Sequence, residues 1–194
     1  MNQTPLADFW SLTPDQREAV LRAGIVETHA WHFARNRAYQ QTVSARGVGP
    51  VLQNDALARV LRPTSQTFKS YIDLLGTPFP NDRPQEFLGW LADQLSIELP
   101  RARFSRFRPR YGSLEALLRA IETIFADLGL EILTSSGTSG RATIMVRNQQ
   151  ALARTTESFY LSFQRYFGMQ ADHRAIFIMP RQTRIAMARM AQFS

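Results

Sequence analysis

Apolar side chains recur with helical spacing through most of this chain, and prolines and glycines cut the recurrence into pieces. Thr13-Pro14-Asp15-Gln16 reads as a helix start, with a hydroxyl cap, proline in the first turn and glutamine three positions after the cap. The helix it opens is expected to run to about Arg46, where Gly47, Gly49 and Pro50 break the pattern. Asn54 and Asp55 are placed to cap a short helix through Leu57, Val60 and Leu61 that stops at Pro63. Phe68, Tyr71, Ile72 and Leu75 fall at i, i+3, i+4 and i+7, one apolar stripe ended by Gly76 and Pro78. A further stripe of Phe87, Leu88, Leu91 and Leu95 follows the turn residues from Pro80 to Pro84.

From Ser113 the pattern changes. Ser113 is placed to cap a helix with apolar positions Leu114, Leu117, Leu118, Ile121, Phe125 and Leu128, closed by Gly129. Leu130 to Thr134 reads as a short strand, Ala142 to Val146 as a second, and Ala175 to Met179 as a third, stopped by Pro180. Between the second and third, Asn148 caps a helix carrying Leu152, Thr156, Phe159 and Phe163 on one face and ending near Gly168. Helix, strand, loop, strand, helix, strand is an α/β order. The expected organisation is a mainly helical segment over residues 1–110 and an α/β portion over 111–194, both parts of one domain. Three readable strands make a small sheet for this class, so the domain is expected to be incomplete and the chain to be the front of a longer protein. Such a piece would expose strand edges and apolar surface, and marginal stability or self-association is the expectation.

Composition narrows the chemistry. At 194 residues and 44% apolar content there is enough material for one buried core. The absence of cysteine excludes disulfides, thiolate metal sites and thiol nucleophiles within the sequence. No window is apolar for the ~18 residues a membrane span needs, and the first residues lack a basic start followed by an apolar stretch. The cytoplasm is the expected compartment. The net charge of +7 comes from 23 basic residues, of which Lys69 alone is lysine. So arginine-rich a balance brings nucleic acid into consideration without deciding for it.

The densest chemical signal is Ser135-Ser136-Gly137-Thr138-Ser139-Gly140, small hydroxyl and glycine residues between two strand-like flanks. Glycines at 137 and 140 let backbone approach a ligand closely, and the hydroxyls with successive amides can cradle anionic oxygens. Such a run suits a polyphosphate; the alternative is a flexible serine–glycine turn. It is not a Walker loop, since the only lysine lies far away, nor a nucleophile elbow, since the G-x-S-x-G spacing is missing.

The run resembles the S/T-S-G-T-T-G phosphate signature of the adenylate-forming (AMP-binding) ligase superfamily, with Ser139 at one threonine position. Arg141-Ala142-Thr143 replaces the lysine that usually follows, as is similar to the branch of phenylacetate–CoA ligases and acyl-protein synthetases. The resemblance implies the first strands and helices of that superfamily's large domain. It also implies an enzyme that uses ATP and Mg2+ to convert a carboxylic acid, fatty or aryl, to an acyl-adenylate for transfer to a thiol of CoA or a protein. Ser135, Ser136, Gly137, Thr138, Ser139 and Gly140 would bind the ATP phosphates. The family's acyl pocket, nucleotide-base contacts and catalytic lysine follow this point and have no counterpart here, so no catalytic residue is assigned. Tyr111-Gly112-Ser113-Leu114-Glu115 echoes a later family motif out of order, and reads as a helix start. With no cysteine, the chain cannot itself carry an acyl thioester.

Three other groupings carry residue types with possible chemistry. His29 and His32 are one helical turn apart, but no third ligand is near and packing is the expected role, so no metal site is assigned. Arg101, Arg103, Arg106, Arg108 and Arg110, interleaved with Phe104, Phe107 and Tyr111, would suit single-stranded nucleic acid. The competing reading has the aromatics packing inward and the arginines facing water. A basic nucleic-acid-binding or partner-binding module without catalysis is therefore the alternative function, ranked second. Glu115 with Glu122, and Asp15 with Glu18, are carboxylate pairs expected on solvated helix surface.

Overall fold

The computed structural model describes residues 9–135, 141–170, 172–173, 178 and 183–191. Helices dominate. α1 (Pro14–Arg35) begins with the full capping box: Thr13 Oγ1 accepts from the Gln16 amide, and the Gln16 side chain accepts from the Thr13 amide. The expected single helix to Arg46 is in fact two. Asn36 sits in extended backbone between α1 and α2 (Arg37–Ser44), closing one and capping the other. Its Oδ1 accepts from the Tyr39 amide, and its Nδ2 donates to the Gln94 carbonyl oxygen at 2.6 Å. A contact 58 residues distant thus places the break, which periodicity could not show.

Residues Asn54–Val60 wind as a 3₁₀ helix whose cap position is Gln53. Asp55 therefore lies inside the helix, 3.6 Å from Arg59, rather than at its cap. α3 (Tyr71–Leu75) is shorter than its stripe: Tyr71 and Leu75 are buried, while Phe68 precedes the helix and stays exposed. α4 (Pro84–Gln94) buries Phe87, Leu88 and Leu91 as patterned, and Trp90 beside them. α5 (Leu114–Ile124) is capped by Ser113 accepting from the Ala116 amide. A 3₁₀ turn over Ala126–Leu128 follows, and Gly129 ends it at φ +59°, where a side chain would be strained.

β1 (Leu130–Thr134) and β2 (Ile144–Asn148) form an antiparallel pair, with Leu130 opposite Asn148 and Thr134 opposite Ile144. β2 thus starts two residues later than its sequence pattern. Ala142 and Thr143 bond to Tyr71 and Ser135, and the ladder with β1 carries on to Asn148. Asn148 then caps α6 (Gln149–Phe167), accepting from the Ala151 amide. Of the face marked by Leu152, Phe159 and Phe163, only Leu152 is buried. The strand expected over Ala175–Met179 falls outside the described residues but for Ile178. After it, Ile185 makes a single parallel bridge with Thr134, and α7 (Ala186–Ala191) ends the described chain.

The main core joins Tyr71, Phe87, Leu88 and Leu91 with Leu117, Ile121, Phe125, Ile132 and Ile144, so it spans residue 110 without a break. A smaller cluster of Val43, Val48, Leu52, Ala56 and Val60 sits under α1 and α2. Among the described residues, no helix is long and apolar enough to cross a membrane.

Candidate functional site

Of the sequence-nominated residues, Ser135 is placed, and Ser136, Gly137, Thr138, Ser139 and Gly140 lie outside the described residues. What the structure gives is the root from which that run departs. The Ser135 amide donates to the Thr143 carbonyl oxygen at 3.1 Å, and the Thr143 amide donates to Ser135 Oγ at 2.9 Å. This pair extends the β1–β2 ladder one step past Thr134 and Ile144 and ties both ends of the connection together. Both groups of Ser135 that are placed here thus serve to close the end of the strand pair.

The second strand's start is fixed from the helical half. The Ile144 amide donates to the Phe68 carbonyl oxygen at 3.1 Å, and Tyr71 Oη donates to the Ala142 carbonyl oxygen at 2.9 Å. Tyr71 is held in turn by rings: Phe87 meets it edge-on at 5.6 Å and Trp90 at 5.3 Å, with Phe87 and Trp90 stacked. Trp90 Nε1 donates to Ser70 Oγ at 2.8 Å. Burial pushes the Tyr71 phenol above its ordinary value, which keeps it a donor. The sequence marked Tyr71 as a core position, and nothing in its spacing disclosed the hydroxyl's task.

Beside the root lies a cleft of about 820 Å³. Leu118, Leu130 and Ile132 supply apolar wall, Thr134 and Ala142 mark its end at the loop, and Glu122 is among its charged residues. Its dominant polar feature is Arg184. Nε of Arg184 donates to Glu115 at 2.7 Å, Nη2 to Glu122 at 2.7 Å, and Nη1 to both Glu122 and the Ile132 carbonyl oxygen, the latter at 3.2 Å. Burial alone would lower this guanidinium, but the hydrogen bonds it donates to Glu122 and Glu115, with their negative charges, outweigh it and hold it above its ordinary value. Arg189 donates to Glu131 at 3.1 Å. The expectation that Glu115 and Glu122 are an ordinary solvated pair is corrected for Glu122, which is three-quarters buried and bonded to β1 as well as to Arg184. Their partner comes from more than sixty residues away, beyond reach of spacing arguments. Asp15 is exposed in the first turn of α1, and Glu18 pairs with Arg22 along the helix.

The remaining groupings take part in packing and hydrogen bonding. His29 is buried with both ring nitrogens engaged, Nδ1 with Tyr39 Oη and Nε2 with the Gly49 carbonyl oxygen, each at 2.8 Å. A carbonyl only accepts, so Nε2 carries the proton and donates. His32 Nδ1 meets Ser96 Oγ at 2.6 Å. Among the described residues there is no group of three histidines or carboxylates able to hold a metal. The arginine–aromatic segment coils as a 3₁₀ helix over Arg101–Arg106, and Phe107 and Tyr111 are buried, so those rings offer no face for base stacking. Three of its arginines are engaged by carboxylates: Arg101 with Asp93, Arg103 with Asp127 and Arg110 with Asp82.

No family model matches the chain, and no curated protein or solved structure matches it either.

Proposed function

We propose that the chain is the phosphate-binding part of an ATP-dependent acid–thiol ligase, in which the 135–140 run holds the β- and γ-phosphates while a carboxylate displaces pyrophosphate from the α-phosphate. The observation that supports this reading best is the setting of the run. A serine-, threonine- and glycine-rich connection leaves a root locked by the Ser135–Thr143 pair and by Tyr71, at the end of an open cleft. Donors held on a rigid base stabilise charge on a departing pyrophosphate without having to reorganise as the bond breaks. The two glycines would let backbone amides close on the phosphates, and the hydroxyls of Ser136, Thr138 and Ser139 would donate to their oxygens.

The acceptor in this reading is a thiol outside the given sequence, of CoA or of a protein, because these residues include no cysteine. The carboxylates that line the cleft, Glu115, Glu122 and Glu131, are engaged by arginines and do not form a ready cation site. Mg2+ would therefore arrive on the ATP phosphates, and no step is assigned to a protein-held metal.

The test is calorimetric titration of the chain with inorganic pyrophosphate and with MgATP. Both are expected to bind, and Gly140→Val is expected to abolish binding while leaving the circular dichroism of the helices unchanged. Absence of binding to either ligand, or equal affinity in the variant, refutes the proposal.

A further inference from the structure

The outer edge of β1, opposite β2, is closed at Ile132 by side chains and at Thr134 by backbone. The Ile132 amide donates to Glu122 Oε1 at 3.0 Å, and the Ile132 carbonyl oxygen accepts from Arg184 Nη1. Two residues on, the Thr134 amide donates to the Arg184 carbonyl oxygen at 2.6 Å, and Thr134 and Ile185 make their parallel bridge. Successive outward-facing groups of a strand edge are therefore satisfied by one arginine, through both its backbone and its guanidinium, and by the glutamate that grips it. An unsatisfied edge would bond with water or a neighbouring chain and move more freely. Arg189, bonded to Glu131, holds the same segment one turn further along. Thr134 is the last residue before Ser135, so this closure stops at the root of the loop.

We propose that Arg184 is a positioning residue: clasped by Glu122 and Glu115, it locks the end of β1 and thereby fixes the root from which the 135–140 run leaves. Arginine suits this task because its planar fork spreads its donors over three nitrogens and so reaches two carboxylates and a carbonyl in four bonds, whereas lysine has three donors on a single nitrogen. The segment around Arg184 works as a short substitute strand, held by charge rather than by a full ladder. The consequence for ligand binding rests on the phosphate-loop reading; the locking of the root does not.

Amide hydrogen exchange separates the two. In Arg184→Met, exchange at Ile132, Thr134, Ser135 and Thr143 is expected to rise by about tenfold or more, while Leu88 and Leu91 in α4 stay within about twofold, as for a local opening. Arg184→Lys, which keeps the charge but not the fork, should fall between the two. Leu88→Ala is the control for general loosening, raising all these amides together. If the root amides do not respond in Arg184→Met, or rise in step with Leu88 and Leu91, the assignment is overturned. Pyrophosphate titration then reads the consequence: Arg184→Met is expected to weaken binding by about tenfold. Faster root exchange with unchanged affinity would also overturn the positioning role. If the unaltered chain fails to bind pyrophosphate, the phosphate reading falls alone, and the exchange data still judge the lock.

Discussion

His32 shows how much a single side chain in this molecule depends on its surroundings. It is half-buried on α1, bonded to Ser96, with its ring 5.7 Å from Tyr39. Burial, then the positive charges of Arg62 and Arg147, and then His29, hold its pKa below the ordinary 6.5. Arg62 stacks its guanidinium over the Tyr39 ring at 5.3 Å and is itself lowered, chiefly by burial. A histidine with a lowered folded pKa takes up its proton more readily in the unfolded chain. The stability it contributes is present above 6.5 and is lost as pH falls from there through the lowered folded value. Thermal melts across this range should show Tm falling on acidification, with a shallower fall in His32→Gln. A Tm that rises as pH drops, or an identical slope in the variant, contradicts the account.

At the scale of elements, local signals placed three helix starts and the wider fold placed one break. Thr13, Ser113 and Asn148 each cap the helix that their position in the sequence marks. Each does so through a hydrogen bond to an amide three residues away, and such short-range chemistry is legible in sequence. The α1–α2 break is different. Asn36 is buried, capping α2 with its oxygen while its nitrogen reaches the end of α4. Asn36→Ala loses the cap and leaves the Gln94 carbonyl without this donor, for a cost of about 2–3 kcal/mol. Asn36→Asp should recover the cap share alone. Urea midpoints measure both, and a loss below about 0.5 kcal/mol in the alanine variant would show that the break is set elsewhere.

At the scale of the whole molecule, the interior is divided. The main core is rich in large side chains that are fully buried, among them Tyr71, Phe87, Phe125 and Ile121. The cluster under α1 and α2 is built from Val43, Val48, Leu52, Ala56 and Val60, and its links to the rest include the Asn36–Gln94 and His32–Ser96 bonds. Smaller side chains bury less apolar surface, so this part is expected to open first. Native-state hydrogen exchange in low denaturant should give α2 and residues 48–60 a lower opening free energy than α4, α5 and β1. A single value throughout would show one cooperative unit instead.

The sequence by itself determined the helix, strand, strand, helix order from Ser113 to Gly168, the bounds of β1, the caps at Thr13, Ser113 and Asn148 and the left-handed stops at Gly76, Gly129 and Gly168. These are settled by neighbours a few residues apart, where side-chain period and turn chemistry act directly. It also marked the serine- and glycine-rich run as the place to look for a ligand, from residue types alone. Tertiary structure decided what borders that run: Tyr71 against Ala142, Phe68 against Ile144, and Arg184 drawn onto β1 by Glu115 and Glu122. It also turned Phe107 and Tyr111 inward and engaged three of the neighbouring arginines, which the basic composition had left open to other uses. The physical reason is reach. A guanidinium or a buried hydroxyl is satisfied by whatever group the packed core brings within 3 Å or so, and that partner can lie anywhere along the chain.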